Sequence, residues 1–123
     1  MSNHVKRFYA AVKALVSHGD IKQRLITAFE GHLGDIEDCS LPLVIRPDFE
    51  RLRSRMTGVE PLNGEGRIKA TVRKMSIYEA DRCAHRILEI YADLVKLDEE
   101  LEEIVTPIVE EQPVVPPFLV KSG

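Results

Sequence analysis

Basic residues between positions 46 and 86 are the most chemically suggestive group in this sequence. The stretch carries ten arginines and lysines against six acidic residues. Clustered cationic side chains neutralise phosphates without reading a base sequence. If the segments that carry them adjoin in the fold, the sequence predicts a positive surface that also includes Arg82 and Arg86. Its candidate anion-binding or nucleic-acid-binding residues are Arg51, Arg55, Arg67, Lys69, Arg73 and Lys74.

An ordinary solvated surface is the alternative interpretation, and the interspersed acids favour it. Only Tyr78 supplies a nearby aromatic ring, which argues against base stacking. No helix-turn-helix, basic zipper or zinc finger is recognisable. Sequence-independent nucleic-acid binding is therefore the second functional hypothesis, with the acidic residues 98–111 masking the basic surface when no ligand is bound. In the solvated alternative the arginines pair with the acidic end of a second chain or with Asp48, Glu50, Glu79 and Asp81.

Histidine, cysteine and glycine residues form no recognisable catalytic or metal-binding motif. His85 and Glu89 lie one helical turn apart, but no third ligand is evident, and a metal site needs several converging ligands. Neither Cys39 nor Cys83 belongs to a nucleophile motif. Residues 63–66 lack the lysine and hydroxyl side chain of a phosphate-binding loop and predict a turn. We therefore expect no catalytic residue, no metal, no cofactor and no enzymatic activity.

Length and composition predict one globular domain. The 123-residue chain is 44% hydrophobic and 30% charged, with a net charge of −3. Residues 93–111 hold eight acids and one lysine, so the negative charge is concentrated there. The two cysteines form no disulfide framework, which indicates a reducing compartment. Because no secretory signal or membrane span is visible, we expect a cytoplasmic protein without membrane contact. The pattern resembles that of small bacterial proteins, but no motif identifies a family.

Hydrophobic periodicity predicts a mainly α fold, a small bundle of about four helices. The first two helices, at about residues 3–17 and 21–36, should form an antiparallel hairpin because their connection is very short. Residues 41–45 predict an extended segment that crosses the core. A short third helix begins near Pro47 and ends at Gly58. Its apolar face consists of Phe49, Leu52 and Met56.

Residues 59–73 allow two interpretations. Apolar Ile68, Ala70 and Val72 alternate with basic and polar residues, which is the period of a strand. With the turn signals at 61–66, this alternation favours a short β-hairpin. An ordered loop fits the same residues equally well.

The fourth helix is the longest predicted element. Ser76 and Glu79 have the spacing of a capping box at its start. Pro107 should end the helix near residue 105, because proline lacks the N–H that helix pairing needs. We therefore predict a single helical domain over residues 1–109. An extended or disordered tail should follow over residues 110–123.

A difference in helix length predicts self-association. The fourth helix should span roughly 45 Å, whereas the first two span roughly 25 Å each. Apolar residues that they leave uncovered would favour a homodimer through this helix. The alternative is a break near residues 96–98 that folds the helix back onto its own core. These candidate interface residues are Leu94, Leu97, Leu101 and Ile104.

The proline-rich end of the chain offers a second candidate contact. Residues 113–120 are apolar and should be extended, so they could dock into a groove or add a strand, in cis or in trans. Its candidate contact residues are Val115, Phe118 and Leu119. The main functional hypothesis is a non-enzymatic protein–protein interaction or regulatory module that binds a protein partner and itself.

Overall fold

The described part of the protein contains five α-helices. A computed structural model describes the backbone of residues 3–110 and the side chains of residues 3–101. The residues described contain no β-strand, and the prediction of a mainly helical protein is confirmed. Within this same part of the chain, no helix is both long and apolar enough to cross a bilayer. The helices are α1 (Asn3–Leu15), α2 (Ile21–Ala28), α3 (Arg46–Met56), α4 (Arg67–Lys74) and α5 (Ile77–Glu110).

The second predicted helix is shorter than its apolar pattern suggested. Asp20 caps it by accepting a hydrogen bond from the backbone N–H of Gln23 at 2.9 Å. After Ala28 the chain widens into a π-helical turn, Phe29–Leu33. Phe29 and Leu33 stay buried in that turn. The π-helical turn therefore keeps apolar side chains in the core, although regular α-helix does not reach residue 36.

The predicted extended segment at 41–45 is wrong except at its first residue. Leu41 is extended, but the chain then turns, with the N–H of Ile45 donating to the carbonyl of Pro42 at 2.9 Å. Leu41 and Ile45 are buried, while Leu43 and Val44 are exposed. A proline that cannot continue a ladder of hydrogen bonds favours this turn. The turn leads directly into α3.

The predicted β-hairpin near 59–73 is wrong, and the loop alternative holds only up to Gly66, because residues 67–74 form α4. Ile68 and Val72 are four positions apart in the sequence, so these apolar residues also fit one face of a helix. Ala70, Thr71 and Val72 are buried, so this short helix packs against the rest of the protein through them. The hydroxyl of Thr71 accepts a hydrogen bond from the N–H of Val59 at 3.0 Å, which ties the preceding loop to α4.

The capping box of α5 has the predicted geometry. The Ser76 N–H donates to the Glu79 carboxylate at 2.8 Å, and the Glu79 N–H donates to the Ser76 hydroxyl at 3.0 Å. The predicted end near residue 105 is wrong, because α5 continues to Glu110. Pro107 costs this helix one backbone hydrogen bond, and the helical backbone nevertheless runs through it. The predicted tail lies outside the described residues except for Glu110.

Candidate functional site

Four arginines line a groove between α3 and α5. Arg51 and Arg55 lie one turn apart on α3, and Arg82 and Arg86 lie one turn apart on α5, so each pair shares a helix face. The groove has a volume of about 420 Å³. We call it the arginine groove, and its other lining residues are Pro47, Glu50, Leu52, Ser54 and Cys83.

Charge pairing leaves the arginine groove positive. Arg51 pairs with Asp48, and Arg86 pairs with Glu89 at 3.1 Å, each within its own helix. Arg82 donates a hydrogen bond to the hydroxyl of Tyr78 at 3.1 Å, so its partner is not an acidic side chain. The residues described provide no hydrogen bond or ion pair for Arg55. Exposed pairs three residues apart contribute little free energy, so these guanidinium groups can exchange partners.

The remaining predicted anion-binding residues lie on α4 and do not line this groove. Arg67 is 3.4 Å from the carboxylate of Glu60, and Arg73 pairs with that of Glu65. The hydrogen bond from Arg73 holds the pKa of Glu65 below its ordinary value. Lys69 and Lys74 are exposed. The predicted basic cluster is therefore divided between the arginine groove and α4.

An apolar surface lies farther along α5, where the cover provided by the described residues ends. Leu94 is 3% exposed and belongs to the core of its own chain, Leu97 is half-buried, and Leu101 is 60% exposed. A second groove of about 320 Å³ adjoins these leucines and reaches His4 and Pro42. We call Leu97, Leu101 and this groove the apolar surface. The side chains of the other predicted interface residues, Ile104, Val115, Phe118 and Leu119, lie outside the described part.

Sequence reasoning missed that the two arginine pairs face each other. Arg82 and Arg86 belonged to the predicted positive surface but not to its candidate phosphate contacts. Their spacing of four residues, shared with Arg51 and Arg55, was a detectable signal that each pair occupies one helix face. Which faces meet depends on how α3 packs against α5.

Comparison with protein-family models, curated proteins and solved structures gives no match for this chain. Within the described residues, no group of three or more histidine, cysteine, aspartate or glutamate side chains is placed to hold a metal ion.

The two cysteines differ in accessibility. Cys39 is exposed, whereas Cys83 is only 4% exposed at the floor of the arginine groove. Burial raises the pKa of the Cys83 thiol above its ordinary value, and the opposing effect of Arg55 and Arg82 is smaller. Because the thiolate is the reactive form, Cys83 should be inert at neutral pH.

We expect a thiol reagent such as Ellman's reagent to modify Cys39 rapidly in the native protein. Cys83 should react at least about a hundredfold more slowly. The Cys39→Ser variant should lose the fast phase and keep the slow one. In denaturant, both thiols should react at similar rates. Two fast phases in the native protein would contradict the burial of Cys83.

Proposed function

We propose that this protein is a self-associating protein–protein interaction module whose contact is the apolar surface at the end of α5. The single observation that carries the proposal is the 60% exposure of Leu101. Leu101 lies seven residues beyond the buried Leu94, so both project from nearly the same face of α5. The core-facing side of this helix therefore continues past the point where the described residues cover it.

Helix lengths support a second copy as the partner. α5 has 34 residues and spans about 50 Å, whereas α1 has 13 residues and spans about 20 Å. α1 therefore covers only part of the length of α5, and Leu101 is exposed among the described residues. A second α5 laid alongside would bury both copies of the same leucines through a symmetric contact.

Removing Leu101 from this contact provides the test. Each leucine withdrawn from water contributes about 1.5–3 kcal/mol, and a symmetric interface contains two copies. We expect Leu101→Asp to weaken dimerisation at least about a hundredfold. The wild-type protein should sediment at twice the 13.9 kDa chain mass, and the variant at the mass of one chain.

Leu88→Asp is the matched control, because Leu88 is also an exposed leucine of α5, at 48% exposure. It lies thirteen residues before Leu101, which places it well away from the face of Leu101. This variant should remain dimeric. A wild-type protein that stays monomeric at about 100 µM, or a Leu101→Asp variant of unchanged mass, would contradict the proposal.

A further inference from the structure

The arginine groove has the size of a small-molecule site. Its volume of about 420 Å³ falls within the range of pockets that bind metabolites. Two arginines of α3 and two of α5 line it, and the Cβ atoms of each pair are about 5–6 Å apart on their helix. Leu52 and Cys83, both buried, form an apolar floor beneath them. Such a floor lowers the local dielectric constant and strengthens attraction to an anion.

The charge of the groove is poorly balanced by its own lining. Glu50 is the single carboxylate among the residues that line it, against four arginines. The acids that contact Arg51 and Arg86 lie outside the lining, and the side chain of Glu89 is 62% exposed. An anion that enters the groove would therefore compete with Glu50 and with the pairs of Arg51 and Arg86, which lie within single helices and contribute little free energy.

We infer that the arginine groove binds a small phosphate-bearing anion. The planar fork of a guanidinium group matches the oxygens of a phosphate and donates two parallel hydrogen bonds to it. Arg55, which has no hydrogen bond or ion pair among the described residues, donates to the ligand from α3. Arg82 and Arg86 hold the ligand from α5, so an anion with two linked phosphates engages both helices.

A small anion fits these observations better than a nucleic acid. A duplex requires an extended cationic surface, but the basic residues of α4 do not line the groove. The acidic residues 93–111 would also repel a long polyanion that followed α5. The concave groove instead encloses a compact ligand on two sides. This inference is independent of self-association.

Calorimetric titration of the full-length protein with inorganic pyrophosphate, at low salt, tests the inference. We expect saturable binding to the wild-type protein that weakens as salt is added. Arg55→Ala and Arg82→Ala should each raise the dissociation constant at least about tenfold, because each removes charge-assisted hydrogen bonds. Circular dichroism confirms that each variant remains folded.

Arg67→Ala is the matched control, because it removes the same charge from α4, outside the groove. It should leave the dissociation constant within about twofold of the wild-type value. An absence of binding by the wild-type protein would overturn the inference. So would an equal loss of affinity in Arg67→Ala, which would indicate diffuse charge attraction. Groove-dependent binding of a 20-base-pair DNA duplex without binding of pyrophosphate would overturn it in favour of nucleic acid.

Discussion

Replacing Phe49 with alanine should lower the free energy of unfolding by about 3–5 kcal/mol, the range typical of phenylalanine truncation in a packed core. The Phe49 side chain is completely buried. Its ring meets that of Phe8 edge-on, with 5.9 Å between centroids, and stacks on that of Phe29 at 6.3 Å. The substitution therefore leaves a cavity where α1, α3 and the π-helical turn meet. Urea unfolding followed by circular dichroism measures the loss.

Leu43→Ala is the control for this change, because Leu43 is 75% exposed. It should alter the free energy of unfolding by no more than about 0.5 kcal/mol. The total free energy of unfolding of a domain of this size is only about 5–15 kcal/mol. If Phe49→Ala does not fold, Phe49→Leu should fold with a smaller loss. A loss below about 1 kcal/mol for Phe49→Ala would contradict the central position of this ring.

Local patterns predicted the elements whose determinants are close in sequence. The capping box of Ser76 and Glu79 depends on two residues three positions apart, so the sequence contains all that is needed to recognise it. The buried face of α3 was predicted for the same reason, because Phe49, Leu52 and Met56 recur at helical spacing. In both places the local preference agrees with the tertiary packing.

Short segments were mispredicted where two periods fit the same residues. Over the eight residues of α4, Ile68, Ala70 and Val72 satisfy a strand pattern, while Ile68 and Val72 alone satisfy a helical one. The choice depends on packing against α2 and α3 and on the hydrogen bond between Val59 and Thr71. These are long-range contacts, which a window of eight residues does not contain.

The candidate site was predicted in part for a similar reason. Arg51 and Arg55 are four positions apart, so their spacing places them on one face of α3. That this face meets the arginines of α5 depends on the contact between the two helices. Leu94 was placed among the candidate interface residues because it has the spacing of Leu97 and Leu101, but it is buried in the core of its own chain. Spacing assigns residues to a face of a helix, whereas the length of the neighbouring helices determines how much of that face remains open.

Replacing Arg53 with alanine should lower the free energy of unfolding by about 2 kcal/mol, because it removes several contacts that join α3 to the segment before it. The Arg53 guanidinium donates to the carboxylate of Asp38 at 2.7 Å and to the carbonyl of Ile36. It also lies 4.8 Å from the centroid of the Phe49 ring. Losing a partly buried charged donor leaves both acceptors unsatisfied, which costs about 1–3 kcal/mol. The same urea unfolding experiment measures this loss.

Arg51→Ala is a closely matched control, two residues away on the same helix. The Arg51 side chain is 70% exposed and pairs with Asp48 within α3, so its removal should cost no more than about 0.5 kcal/mol. Arg53→Lys keeps the charge but not the planar fork that reaches two acceptors, so its loss should be intermediate. The difference between Arg53→Ala and Arg51→Ala should persist in 1 M salt, since carbonyl and ring contacts are screened less than an exposed pair. Equal losses in the two alanine variants would mean that Arg53 contributes no more than a surface charge, and that the packing of α3 alone holds residues 36–38 in place.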